Sequence, residues 1–243
     1  MKITIKKLHE KTLPEYKKNY VKIDFVSYYL WRPICDIMTI LLLDTNVTAT
    51  CVTVISFIAC FISLGCFIIF PGLKGALLGY LFFWIWNISD GIDGNIARYT
   101  DSCSKKGDLW DALAGYVAMY VFYFGAGLIA FYENSLINLN FINREMFIIM
   151  GSIAGVCTML PRLVTQKKES IYGKESSLEM KDRSSYNLFK IIALNLISIN
   201  GFAGLLLLIA ILFHFVNIYM TIYFFIMIAF GGFSLFIIMR DLR

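Results

Sequence analysis

Asn87-Ile88-Ser89-Asp90-Gly91-Ile92-Asp93-Gly94-Asn95-Ile96-Ala97-Arg98, and then Gly107-Asp108-Leu109-Trp110-Asp111, set four carboxylates at the facing ends of two apolar runs, residues 76–97 and 107–132. Ionisable groups at such positions are costly and mark function unless a partner neutralises them. The nearby cations are Arg98, Lys105 and Lys106, too few for four ionised acids if Arg98 has a task of its own. A bound divalent cation supplies the missing charge. A helical period of about 100° per residue puts Asp90 and Asp93 on one face, with Ala97 almost directly below Asp90. Gly107 and Asp111 share a face of the following helix in the same way. Gly94 and Ala97 add no bulk, so a ligand approaches the backbone closely. The two faces together predict an acidic cleft lined by small residues. Helix packing alone explains the glycines, but it does not explain the aspartates.

Outside this stretch the chain is strongly apolar. Of 243 residues, 58% are hydrophobic and 16% charged, against about 25% charged in ordinary soluble domains. Mean hydropathy is +0.69. One soluble core cannot hide that much apolar surface, whereas a bilayer solvates it. These figures exclude a soluble enzyme, a disordered chain and a nucleic-acid binder. Six spans are predicted, at residues 48–70, 76–97, 107–132, 146–163, 188–213 and 218–239. Pro71-Gly72 closes the first, and Pro161 is expected to break the fourth near its end. Residues 1–45 mix charge with aromatics and lack the apolar core of a signal peptide. Residues 21–43 are expected to lie in the membrane interface as an amphipathic helix, with Tyr28, Tyr29, Leu30 and Trp31 at the headgroups; a cap packed on the spans is the alternative. The expected fold is an all-α integral membrane protein of one domain, 1–243. It comprises a cytoplasmic or interfacial segment, 1–45, and a six-helix transmembrane bundle, 46–243.

Basic residues set the orientation. Of 22 Lys and Arg residues, all but Lys74 and Arg144 fall on one side of the predicted bundle. The positive-inside rule makes that side, with both termini and the acidic cleft, cytoplasmic, and it accounts for the net charge of +5. His9 and His214 flank the spans and no CxxC pair occurs, which excludes a histidine-based metal site and gives no sign of a zinc site or disulfide framework. Any metal is then held by carboxylates, which favours Mg2+ or Mn2+. The charged loop at 166–186 reads as a solvated cytoplasmic loop. The alternative is a grip on anionic headgroups or a phosphorylated substrate through Lys167, Lys168, Lys174, Lys181 and Arg183.

The spacing Asp90-x2-Asp93-Gly94-x2-Ala97-Arg98-x8-Gly107-x3-Asp111 resembles the signature of the CDP-alcohol phosphotransferases, also called CDP-alcohol phosphatidyltransferases. Arg32-Pro33, Thr45-Asn46-Val47-Thr48 and Val52-Thr53 look like that family's entry into its first span. The resemblance implies metal-dependent transfer of a phospho-alcohol or phosphatidyl group from a CDP-linked donor to an acceptor alcohol, with release of CMP, in lipid synthesis. It implies Asp90, Asp93 and Asp111 as ligands of Mg2+ or Mn2+, and Gly94, Ala97, Arg98 and Gly107 at the nucleotide. It further implies a homodimer in contact with membrane lipid and no nucleic-acid partner. The expected location is the inner or plasma membrane of a bacterium or archaeon.

The pattern departs from the family at one position. A fourth aspartate, assigned in the family as general base, stands four residues beyond Asp111, and this chain has Gly115 there. Asp108 is one substitute base beside Asp111, although an acid in a first helical turn is favoured by the helix dipole alone. An acceptor's own phosphate and a metal-bound water are others. Arg162 is placed to hold an acceptor phosphate, or simply snorkels at a span end. The alternatives to an enzyme are a silent member that binds nucleotide or lipid and, more weakly, a divalent-cation carrier. The carrier reading lacks carboxylates in spans four to six to form a path across.

Overall fold

In hydrocarbon a chain segment must satisfy its own backbone polar groups, and a long apolar run does so as an α-helix. The computed structural model describes residues 3–13, 21–137, 139, 141–173 and 186–240, and among them no strand occurs. A short helix, α1 (Ile5–Thr12), is capped by Thr4. A π-helical turn, Ser27–Trp31, runs directly into α2 (Arg32–Leu43). Then follow α3 (Ala49–Ile69), α4 (Leu73–Tyr99), α5 (Lys105–Tyr132), α6 (Arg144–Tyr172), α7 (Leu188–Ile197), α8 (Phe202–Leu212) and α9 (Val216–Arg240). Gly72, at φ +82°, makes the turn between α3 and α4 that an L side chain rarely adopts. Serine and threonine side chains start the two helices beside the acidic stretch. Thr48 Oγ1 accepts from Cys51 N at 3.3 Å, and Ser104 Oγ from Gly107 N at 3.0 Å.

Helix α3 packs along α4, α5 along α6, and α6 along α9. Aromatic side chains fill the centre: Phe83, Trp84, Trp86, Phe122 and Tyr123 are all buried. Four helices, α3, α5, α6 and α9, are long and apolar enough to cross a membrane, and α7 with α8 makes a fifth if the bent pair is one span. Helix α4 has the length, 27 residues, but its polar end, Asn87 to Arg98, leaves it short of that apolarity.

Two expectations are corrected. The fifth predicted span is not one helix: α7 and α8 meet at 51°. The break is built from polar contacts. Asn195 Oδ1 accepts from Phe25 N at 2.9 Å, and its Nδ2 lies 2.7 Å from Ile23 O, which ties α7 to the chain before α2. Tyr223 donates to Leu196 O at 3.0 Å, a carbonyl the helix end leaves without an internal partner. Pro161 does not break the fourth span, since α6 continues through it to Tyr172. The N–H that proline lacks would have served Cys157 O, and that carbonyl instead lies against Gly231 of α9. The Trp31 ring stacks on Trp84 with centroids 3.7 Å apart, whereas Tyr29 is 62% exposed. Along α2 the exposed residues Ile34, Ile37, Met38 and Leu41 form an apolar outer stripe, while Cys35, Asp36 and Thr39 face inward.

Removing the hydroxyl that serves the broken helix gives a direct check. Tyr223→Phe is expected to lower stability by about 1 kcal/mol, and Asn195→Leu by more, because it strips several buried hydrogen bonds at once. Thermal denaturation in detergent reads both.

Candidate active site

Helix α4 carries Asp90 and Asp93 one turn apart, and α5 presents Asp111 from the neighbouring wall. All eight residues singled out in the sequence, Asp90, Asp93, Gly94, Ala97, Arg98, Gly107, Asp108 and Asp111, line one cavity of about 350 Å³. Asp93 is 4% exposed, and Thr53 of α3 donates to its Oδ2 at 2.6 Å. Asp90 and Asp111 face each other within hydrogen-bonding reach. Asp108 is exposed on the first turn of α5, at the rim.

The small residues are not empty space. A Cβ on Gly94 would stand 2.9 Å from Arg98 Nη2, so the guanidinium lies folded onto the glycine one turn before it. A Cβ on Gly115 would stand 2.7 Å from Arg162 Nη1. Arg162, from α6, therefore occupies the place where a side chain at 115 would begin. Its guanidinium carbon lies 5.5 Å from the centroid of the Tyr116 ring. Arg162 and Asp90 also line a second cavity of about 300 Å³, with Trp86, Thr158, Leu194 and Asn200. Asp90 also lines a third cavity, of about 180 Å³, with Arg32, Asn95 and Arg98.

The donor set is oxygen-only and acidic, which suits a hard divalent cation. Among the described residues, however, no three His, Cys, Asp or Glu side chains gather closely enough to hold one ion. Asp93 Oδ2 accepts from Thr53 beside the facing pair Asp90 and Asp111. Of the charged-loop residues, Lys167 and Lys168 belong to the end of α6 and Lys168 is 7% exposed. Lys174, Lys181 and Arg183 lie outside the described residues.

Sequence reasoning missed three polar partners. Thr53 was legible only as part of the entry into α3. Asn95, buried beside Arg98, and Asp36, buried on α2, carry no periodic signal of their own. What does mark them is a polar side chain on an otherwise apolar helix face.

Fold and long apolar helices define an integral membrane protein with an acidic cavity at one end of two consecutive helices. The family model described as CDP-alcohol phosphatidyltransferase matches residues 46–223, and the chain belongs to that family. The match takes in every residue lining the 350 Å³ cavity. No curated protein matches the chain. The family is one of transferases that move phospho-alcohol units in lipid synthesis.

Two cysteines near the cavity should differ in reactivity. Burial, with help from Asp36 and Asp90, pushes the Cys35 thiol up to about 12, so it stays protonated and inert at neutral pH. Cys103 is exposed on the cavity wall. Maleimide at pH 7.5 is expected to label Cys103 and spare Cys35, as read by peptide mass spectrometry.

Proposed function

We propose that the chain transfers a phospho-alcohol or phosphatidyl group from a CDP-linked donor to an acceptor alcohol. The observation that carries this reading is the convergence of Asp90, Asp93, Gly94, Ala97, Arg98, Gly107 and Asp111, from two consecutive helices, on one cavity. The nucleotide lies against Gly94, Ala97 and Gly107. Arg98 holds an oxygen of the donor's phosphates, for which a planar guanidinium is well shaped. Asp90, Asp93 and Asp111 would hold Mg2+ or Mn2+, and a cation there would offset the negative charge on the phosphoryl oxygens and on departing CMP. The acceptor hydroxyl attacks the phosphorus that carries the alcohol, the bond to CMP breaks, and the hydroxyl proton passes to a base at the cavity. Asp108 at the rim, or the acceptor's own phosphate, takes that proton.

Arg162 holds the acceptor's phosphate in the second cavity. Its position against Gly115 supports reading the missing carboxylate as an adaptation of a working enzyme. Positioning and charge stabilisation supply much of the acceleration in phosphoryl transfer, so a site without that aspartate retains a route. Six spans, both termini and the cavity in the cytoplasm, α2 lying in the interface and a homodimer complete the proposal. The outer apolar stripe of α2 and the one-sided basic residues support the membrane placement.

The test is CMP release by detergent-purified protein from a panel of CDP-alcohols and CDP-diacylglycerol, with Mg2+ or Mn2+. Turnover is expected with one donor class, and its absence with every donor favours the silent-binder reading. Asp93→Asn is expected to lower turnover by more than the roughly 10–100-fold typical of outer-shell partners. It should also weaken manganese binding by calorimetry, and unchanged affinity in Asp90→Asn, Asp93→Asn and Asp111→Asn alike rejects the metal assignment. Gly115→Asp sets a carboxylate against Arg162 and neutralises it, so wild-type turnover should fall by about tenfold, the value of a lost charge-assisted contact. A rise would instead mark a decayed enzyme regaining its base.

A further inference from the structure

Resting on the nucleotide reading of the main cavity, we propose that His9, Asp36 and Asn95 form a relay that positions Arg98 for the donor's phosphate. The relay runs from the N-terminal helix, through α2, to the end of α4. His9 Nε2 lies 2.6 Å from Asp36 Oδ2. Asp36 Oδ1 accepts from Asn95 Nδ2 at 3.2 Å. Asn95 Oδ1 accepts from Arg98 Nη2 at 3.4 Å.

The order of donors and acceptors along this chain is fixed. Asp36 is 2% exposed and Asn95 4%, so neither has water to fall back on. A carboxylate offers only acceptors, which forces the Asn95 amide to turn its NH2 inward. Thr39 enforces the same orientation. Its hydroxyl donates to Cys35 O at 2.6 Å, leaving a lone pair for Asn95 Nδ2 at 3.3 Å. With the NH2 committed to Asp36 and Thr39, the amide oxygen points at Arg98. The orientation of a cavity arginine is thus set from a helix that does not itself line the cavity.

Helix α1 is fastened beside that arginine. Lys11 Nζ donates to Tyr99 O at 3.0 Å and stands 5.0 Å from the Tyr99 ring centroid, while Leu8 is fully buried. His9 and Lys11 therefore reach the chain on both sides of Arg98, at Asn95 through Asp36 and at Tyr99. A buried carboxylate is costly without partners, and Asp36 Oδ2 has His9 Nε2 at 2.6 Å and Arg32 Nε at 4.0 Å. What the carboxylate adds is the facing of the Asn95 oxygen. His9, Asp36 and Asn95 are positioning residues, acting through Arg98.

CMP is the probe, because every CDP-linked donor contains it. Its affinity is measured by calorimetry on the purified full chain, with thermal midpoints alongside. His9→Ala is expected to weaken CMP binding about tenfold, the size of one lost charge-assisted hydrogen bond, and to lower the midpoint as well, since it takes a partner from the buried Asp36. His9→Gln, which keeps a side-chain N–H for Asp36, should stay within about twofold of wild type. In an Arg98→Gln background, His9→Ala should cost nothing further, because the relay then has no arginine to place. Undiminished CMP affinity in His9→Ala overturns the relay alone, and so does an equal loss in both backgrounds. Failure of the wild type to bind CMP overturns the nucleotide reading and the relay with it.

Discussion

Asp90, Asp93, Asp108 and Asp111 share one cavity, and carboxylates that close together repel wherever they are ionised. The surrounding structure answers that repulsion group by group. Thr53 donates to Asp93 from the helix packed alongside. Arg98 folds back onto Gly94, one turn from its own backbone, and Arg162 reaches in from α6 to lie against Gly115. Exposure at the rim leaves Asp108 to water. Each response draws on a different helix, so α3, α4, α5 and α6 are held in register by what they owe to the same four acids.

The bent pair α7 and α8 follows from a second constraint, that backbone opened inside an apolar bundle must find partners. Asn195 and Tyr223 supply them, and Tyr219 and Tyr80 add hydroxyls to Ala203 O and Gly204 O at the start of α8. The break has a geometric result. It brings Ser198, Ile199 and Asn200 to the wall of the second cavity, opposite Arg162 and Asp90. A straight helix would present only one face there. Bending turns the end of one helix and the start of the next toward the space where two arms of the site meet.

Much of this was legible in the sequence because helical period converts spacing directly into shared faces. Asp90, Asp93, Gly94 and Ala97 needed only that period, and Gly107 with Asp111 likewise, to be placed on one cavity. The turn at Pro71-Gly72 was equally local. The break at residues 198–201 was not legible, since it depends on Asn195 meeting the backbone of residues 23 and 25, far away in the chain. Pro161 misled for a related reason. A proline removes one helical hydrogen bond, but whether the helix ends there depends on what packs against the freed carbonyl, and here that is Gly231. Trp31 carried an interfacial signature by composition, and its stacking on Trp84 depends on a residue far along the chain. Periodicity fixes which residues share a face. It is silent about which distant side chain arrives to meet that face.

Gly115 is best understood through Gly94. In both places a glycine gives a guanidinium room to lie against a helix, and in both the arginine borders the Asp90–Asp111 pair. The difference is in origin. Arg98 comes from the same helix one turn on, whereas Arg162 comes from a neighbouring helix and crosses to α5. A carboxylate at position 115 would meet that guanidinium directly and cancel it. With glycine there, no acid pairs with Arg162 among the described residues, and its contact is the uncharged ring of Tyr116. The substitution therefore does more than delete one negative group. It leaves Arg162 to share the second cavity with Asp24 and Asp90. A guanidinium that no carboxylate at position 115 cancels is open to a charge-assisted contact with a phosphate, which is what an acceptor bearing one would require.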